Sequence, residues 1–366
     1  MAGIAAPGVG SAEVAVAEQA DDADLRRMLR ASVMPGAVRV AFTREPDYFA
    51  ADGLAGAQDV TVVARREGRV IGSGRCSVFS LMRNGVPRRI GYLSTLRVAQ
   101  RTRESARLLR EGYELLGSET AHLAEGFFTS IATGNARARR VLEHGGRLGL
   151  PSYRPLCDLV TLVGAVSADR RSTAESSATE LELVEFLQRV SRDSQLALSW
   201  EPSRWRDLAR HGVSARDFSV VRQDGRIVAA AAVWDQRAFR QTIIDGYDGW
   251  LRRVRPLLNV ATAVRRRPQW PSPGSVLAQG ALLSAGTTDP AAWPALWPLV
   301  RQRAATAGLS WLTLSRDARD PELPMLGRLM KGQEYRTTLY EVRWPDGASW
   351  DDSWDDRLFR PEVALL

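Results

Sequence analysis

Arg97-Val98-Ala99-Gln100-Arg101-Thr102-Arg103-Glu104-Ser105-Ala106-Arg107-Leu108-Leu109 runs from the end of a β-rich segment into a helical one, and its reading decides the fold. A strand-to-helix turn is where many α/β proteins cradle a phosphate, because backbone N–H groups and the helix dipole converge there. Glycines normally let the backbone approach the anion, and this turn has none. Arginines stand in their place, so the turn reads as a phosphate site refilled with guanidinium.

Outward from this turn the chain falls into two blocks with one order of elements. In the first, 22–32 has an acidic start and apolar Leu25, Met28 and Leu29, as an opening helix does. The β-rich runs 60–66 and 69–80 flank Glu67-Gly68, a hairpin signal. A strand over 90–98, a helix over 104–117 with Leu108, Leu109, Tyr113 and Leu116 on one face, and a strand over 126–132 follow. A short helix over 135–144, stopped by Gly145-Gly146, and a strand over 156–163 complete the block. The second block repeats the pattern: a helix over 180–192, a hairpin of 218–222 and 226–234 around Asp224-Gly225, and a strand over 275–284. A helix over 291–307, a strand over 311–315, a short helix over 323–330 and a strand over 337–344 close it. Residues 1–20 read as a flexible tail, 21–163 as one domain, 164–179 as a linker without apolar period, 180–345 as a second domain and 346–366 as an acidic tail.

The composition bounds the function classes. The chain has 366 residues, 45% of them hydrophobic, with no run of the ~20 apolar residues of a membrane span. No basic start followed by an apolar core marks a signal peptide, and two cysteines make no disulfide framework, so a cytoplasmic location with reduced thiols is expected. Three histidines and two cysteines argue against a zinc site, and no metal is expected. The net charge is +8, and Lys331 is the sole lysine among 50 basic residues. Between Gln236 and Trp270 eight arginines face Asp245 and Asp248 alone. Of these, Arg252, Arg253, Arg255, Arg265, Arg266 and Arg267 form a candidate landing surface for nucleic acid.

The order helix, hairpin, strand, helix, strand, helix, strand resembles the GNAT superfamily of acyltransferases, and its repetition resembles tandem GNAT proteins. Tyr92-Leu93-Ser94-Thr95-Leu96-Arg97-Val98 looks like the family's central strand. Gln100-Arg101-Thr102-Arg103-Glu104-Ser105 looks like a worn form of its Q/R-x-x-G-x-G/A donor turn, and Asn135-Ala136-Arg137-Ala138-Arg139-Arg140-Val141-Leu142-Glu143 is similar to its N-x-x-A-x-x-L-Y-E helix. The fold class implied is α/β with mixed sheet: two tandem GNAT-like domains, each a central, mostly antiparallel sheet flanked by helices. Three departures stand out. Arg103 and Ser105 occupy the two glycine positions of the turn, Leu142 stands where the family often has a thiolate-protonating Tyr, and Ala285-Gly286-Thr287-Thr288-Asp289-Pro290 of the second block carries no donor pattern.

The resemblance implies that backbone groups around Thr95, Leu96 and Val98 hold the donor, and that a backbone N–H near its carbonyl stabilises the oxyanion. Tyr92, Ser94, Thr95 and Asn135 are the candidate catalytic residues, with an aromatic of the core and a plain N-cap as the competing readings of Tyr92 and Asn135. Arg101, Arg103, Ser105 and Arg107 are candidate donor ligands, or else a solvated charged face. Asp235, Arg240 and Tyr247, gathered past an apolar strand, line a pocket for an acceptor or brace the two halves. The worn donor turns, the duplication and the basic cluster together favour aminoacyl-tRNA as the acyl donor and a small-molecule amine or amide nitrogen as acceptor, as in tandem GNAT-like enzymes that decorate peptidoglycan or natural products. No resident cofactor is expected. The alternatives are acetyl-CoA or another acyl-CoA as co-substrate, and a non-catalytic binding module with degenerate donor sites.

Overall fold

The computed structural model describes residues 11–98, 104–166, 177–264, 269–345 and 353–366. The first half contains β1 (Glu13–Val16), α1 (Asp22–Ala31), β2 (Val38–Thr43), β3 (Gln58–Arg66), β4 (Arg69–Arg83), β5 (Val86–Val98), α2 (Ser105–Thr120), β6 (Gly126–Ala132), α3 (Ala136–Glu143) and β7 (Ser152–Ala165). The second contains α4 (Glu180–Arg192), β8 (Ser194–Gln195), α5 (Arg204–Ala209), β9 (Phe218–Gln223), β10 (Arg226–Trp234), β11 (Gln241–Tyr247), α6 (Gly249–Val264), β12 (Gln279–Thr287), α7 (Trp293–Thr306), β13 (Trp311–Asp317), α8 (Leu323–Met330), β14 (Gln333–Arg343) and β15 (Leu358–Phe359).

Local chemistry sets the turns. Glu67-Gly68 and Asp224-Gly225 both take positive φ at the two central positions, the twist that suits a two-residue hairpin. Asn84-Gly85 does the same between β4 and β5, so the two runs read separately from sequence extend into one long hairpin. Thr179 opens α4 with a capping box, its hydroxyl accepting from the Glu182 N–H while the Glu182 carboxylate accepts from the Thr179 N–H.

The strands form one sheet of 11, in the order β1-β3-β4-β5-β6-β14-β7-β13-β12-β10-β9. Only β5–β6 and β12–β13 pair parallel within it. The mixed, mostly antiparallel character matches the sequence reading, but the halves do not own separate sheets. The last strand of each is wedged between the last two of the other: β14 separates β6 from β7, and β7 separates β13 from β14. Gly332 permits the entry of β14, since a Cβ there would come within 1.7 Å of the Val163 carbonyl oxygen. A second bond between halves is the ribbon of β2 and β11, where Arg39 meets Asp245 at 2.9 Å and also pairs with Asp248.

Side-chain alternation divides the first half's sheet into two faces. Val62, Cys76, Val78, Leu93 and Phe127 pack toward α2 through Tyr113 and Leu116. Phe79, Leu81, Ile90, Tyr92 and Phe128 point the other way and join a core shared with α4, Trp200, Trp205 and Phe218. Burial raises the thiols of Cys76 and Cys157 well above their ordinary values, which leaves them unreactive.

Two segments expected to be tails carry structure. Glu13–Val16 pairs with β3, and β15 pairs with β8 while Phe359, Ala364 and Leu365 are buried. The apolar residues that follow the acidic run near the carboxyl end drive this docking.

The strand exchange predicts that the halves melt together. Leu339 on β14 and Leu159 on β7 are fully buried beside each other's ladders, and truncating Leu339 to Ala should cost about 2–5 kcal/mol. Tryptophan fluorescence, which reports mainly on the second half, and far-UV circular dichroism should show one coincident, lowered transition; two separated transitions refute the interdependence.

Candidate active site

The parallel ladder of β5 and β6 lasts for three rungs, Ile90 to Tyr92 against Gly126 to Phe128, and then the strands part. Gly91 makes this pairing close, because a Cβ would meet the Phe127 ring at 2.5 Å and the Cys76 sulfur at 2.8 Å. Past the last rung, Thr95 sits at φ 51°, a left-handed conformation costly for a β-branched residue. The β4–β5 register shifts there, between Ser73 and Arg75. The distorted residue is held in place: Ser73 donates to the Thr95 carbonyl at 3.2 Å, and the Thr95 and Tyr48 hydroxyls lie 3.4 Å apart. Backbone bulges of this kind cluster at functional sites.

The two faces of the split differ sharply. Toward α2 lies an apolar cavity of about 330 Å³, lined among others by Val62, Ala64, Ile71, Leu96, Val98 and Leu108. Gly72, Gly74 and Gly112 keep it open, and nothing lies within 4 Å of a Cβ placed on Gly112. On the opposite face the groups are polar and basic. Arg75, 2% exposed, binds Asp52 and Asp59 through one guanidinium nitrogen, each at 2.7 Å. Its centre is 6.0 Å from the Tyr48 ring, and the Arg44 guanidinium lies over the same ring at 4.7 Å. Arg240 arrives from the second half, with Arg44, Arg75 and Tyr92 close enough to act on its charge. Burial, then Arg44 and Arg75, pulls the Arg240 pKa down to about 9. Burial raises the Tyr92 phenol above its ordinary value, and its hydroxyl lies 3.1 Å from that of Ser130.

The second half repeats this geometry and closes it. β12 and β13 pair parallel over Gln279 to Ala281 and then part, and Ser284 takes φ 47° where Thr95 stands in the first half. Here the chain's own Glu362 occupies the split. Its carboxylate accepts from the Ser284 N–H at 2.9 Å and from the Ser284 hydroxyl at 3.0 Å. Arg360, Pro361 and Val363 line what remains, about 30 Å³.

The sequence-selected residues scatter between these places. Tyr92, Ser94, Thr95, Leu96 and Val98 lie along the first split, with Leu96, Val98 and Ser105 lining the apolar cavity. Asn135 caps α3 at the carboxyl end of β6, accepting from the Ala138 N–H at 3.1 Å. Leu142 is buried in the core beneath α2, so it does not face the split. Arg107, grouped with the phosphate ligands in the sequence, is instead committed to Glu111 at 2.9 Å and to the Ala12 carbonyl at 3.2 Å. Asp235 forms a local bidentate pair with Arg237, and Tyr247 donates to the Pro271 carbonyl at 2.7 Å beneath Arg255. Neither joins Arg240, the one member of that trio that reaches the polar face. On α6, Arg252 and Arg253 are exposed, whereas Arg255 donates to the Pro271 carbonyl at 3.0 Å. Arg101, Arg103, Arg265, Arg266 and Arg267 lie outside the described residues. Sequence reasoning missed Arg44, Tyr48 and Arg75; a lone arginine inside the apolar run of β4 was the available signal.

No family model matches the chain, and no curated protein does. Solved structures do. A GCN5-related N-acetyltransferase from Sphaerobacter thermophilus is similar over 93% of this chain and 98% of its own, at 16% identity and a TM-score of 0.51. Saccharomyces cerevisiae N-myristoyltransferase, solved with bound myristoyl-CoA, is similar over 98% of this chain and 86% of its own, at 11% identity and a TM-score of 0.59. With its two parted strand pairs and exchanged end strands, the chain thus has the tandem GNAT fold.

Proposed function

We propose that the chain is an acyl-CoA-dependent N-acyltransferase whose donor lies in the β5–β6 split of the first half. The observation that carries this reading is the parted strand pair at Thr95 with an apolar cavity opening beside it. Beyond the last rung, β5 has backbone groups without a strand on that side, and a thioester laid along them would meet N–H donors for its developing oxyanion. The cavity suits an acyl group with a hydrocarbon tail, since a mostly apolar hollow gains from apolar contact. Both similar structures belong to proteins named for N-acyl transfer, and the yeast protein carries an acyl-CoA. The aminoacyl-tRNA donor favoured by the sequence gains no such support. Part of its basic cluster is committed within the protein: Arg237 to Asp235, Arg240 to the interior and Arg255 to backbone carbonyls.

The amine must reach the carbonyl carbon uncharged, and the departing thiolate must be protonated. Tyr92 stands on the last rung before the split; a phenol is protonated at neutral pH, and burial further disfavours its phenolate. It therefore serves as a proton donor and not as the base. Glu362 rules against a second donor in the other half, because its carboxylate already takes the equivalent N–H.

A differential thermal shift against acetyl-CoA, dodecanoyl-CoA and charged tRNA tests the reading. A saturating ligand at 100 times its dissociation constant raises stability by about 2.7 kcal/mol, and dodecanoyl-CoA should give the largest shift. Stabilisation by charged tRNA alone would overturn the proposal. Gly112→Leu should fill the cavity and raise the melting temperature, since glycine within a helix costs up to about 1 kcal/mol relative to alanine. The same variant should lose tenfold or more in kcat/KM for dodecanoyl-CoA while retaining acetyl-CoA. Tyr92→Phe should lower kcat by about 10²-fold or more with the donor KM unchanged, read from thiol release.

A further inference from the structure

The polar face of the β5–β6 split holds more positive charge than it balances. Its carboxylates, Asp52 and Asp59, are both taken by Arg75, and Glu45 turns outward to Arg26. Arg44, Arg97 and Arg240 have no carboxylate partner among the described residues. Arg44 is 5% exposed and has the Tyr48 ring and a 3.4 Å bond to the Tyr48 carbonyl. Arg97 donates from one terminal nitrogen to the Leu96 carbonyl at 2.9 Å, and its buried Nε meets no partner. Arg240 donates to the Ala364 carbonyl at 2.9 Å. Gln241 pairs with Thr43 in the β2–β11 ladder, which sets Arg240 beside Arg44 at its end, and Tyr48 and Tyr92 lie near enough to Arg97 to act on its charge.

A desolvated guanidinium without a counter-charge is costly to the fold, and Arg44 and Arg240 cost more because they repel each other or the neighbouring Arg75. Carbonyl oxygens and an aromatic face satisfy single N–H groups without neutralising charge. A fold keeps such a cluster at a strand split when an incoming anion completes it, as guanidinium forks do for carboxylates and phosphates. The face matters for identifying the anion. The N-terminus of α2, an end that suits the phosphates of a nucleotide donor, belongs to the cavity side of the sheet, where Ser105 and Leu108 line the cavity. Arg44 and Arg240 lie across the sheet from it, where the amine would approach, and Arg97, which also lines the cavity, stands at the split between them.

We infer that Arg44, Arg97 and Arg240 bind an oxyanionic group, carboxylate or phosphate, carried by the acceptor, so that the amine is presented to the split by its own negative charge. The word acceptor rests on the acyltransferase reading; the anion site itself does not.

Isothermal titration of the full chain with succinate and with inorganic phosphate tests the site without turnover. The tighter of the two identifies the oxyanion. Arg44→Gln and Arg240→Gln should each weaken it at least tenfold, and Arg44→Lys should restore part of the loss. The affinity for CoA, titrated separately, should remain within twofold. Melting by circular dichroism should show both Gln variants no less stable than the parent without anion, since each removes an uncompensated charge; a purely structural arginine gives lowered melting and unchanged anion affinity. Failure of the parent to bind either anion, or a loss in CoA affinity equal to the loss in anion affinity, overturns the inference. A second arm compares amino acids with their amides as acceptors of dodecanoyl groups. Release of thiol with neither acceptor would sink the acyltransferase reading while titration still decides the anion site.

Discussion

Everything in this molecule hangs on the exchange of end strands between its halves. β14 closes the first half and β7 the second, so neither can complete its sheet alone. The exchange fixes the two strand splits in one rigid frame. It also brings the β2–β11 ribbon and Arg240 of the second half over the polar face of the first. A site built from both halves needs their relative position held to within a hydrogen bond, and shared ladders supply that constraint more firmly than a surface contact does.

Duplication has left the halves chemically unequal. Each keeps a parallel pair that ends after three rungs and a residue forced to positive φ beyond it. In the first, that residue is Thr95, backed by Ser73 and Tyr48, beside a cavity lined with aliphatic groups. In the second it is Ser284, held by the Glu362 carboxylate and by the Trp200 indole, which donates to its hydroxyl at 3.1 Å. The loss of a recognisable donor turn at 285–290 accompanies this filling. A site occupied from within needs no loop to hold a ligand.

Much of the fold was legible because local signals agree with the tertiary outcome. Glu67-Gly68 and Asp224-Gly225 announce hairpins by their backbone needs, and the apolar face of α2 shows in Leu108, Leu109, Tyr113 and Leu116. The exchange was not legible, since β14 would pair as well with its own half as with the other; only the assembled sheet decides. β2 and β11 escaped notice for the same reason: each is short and finds its partner about 200 residues away. Of the candidate site, the residues along β5 stand together in the sequence because they share one strand. Arg44, Tyr48 and Arg75 were not, because they converge from β4 and the loop after β2, and no spacing in the chain records that meeting. The basic cluster says less than its count for a related cause. Net charge counts arginines, but Arg237, Arg240 and Arg255 face inward or bind carbonyl oxygens, and a sum over sequence cannot distinguish these from charges in water.

The Glu362 contact has a further consequence for stoichiometry. A duplicated fold suggests two equivalents of ligand per chain, and titrations of such proteins are commonly fitted that way. With one split filled by the chain's own carboxylate, the acyl-CoA reading proposed above implies a single donor equivalent per chain. The second half then acts as scaffold and as the source of Arg240. Its sequence is free to drift wherever the shared sheet and that one side chain are preserved.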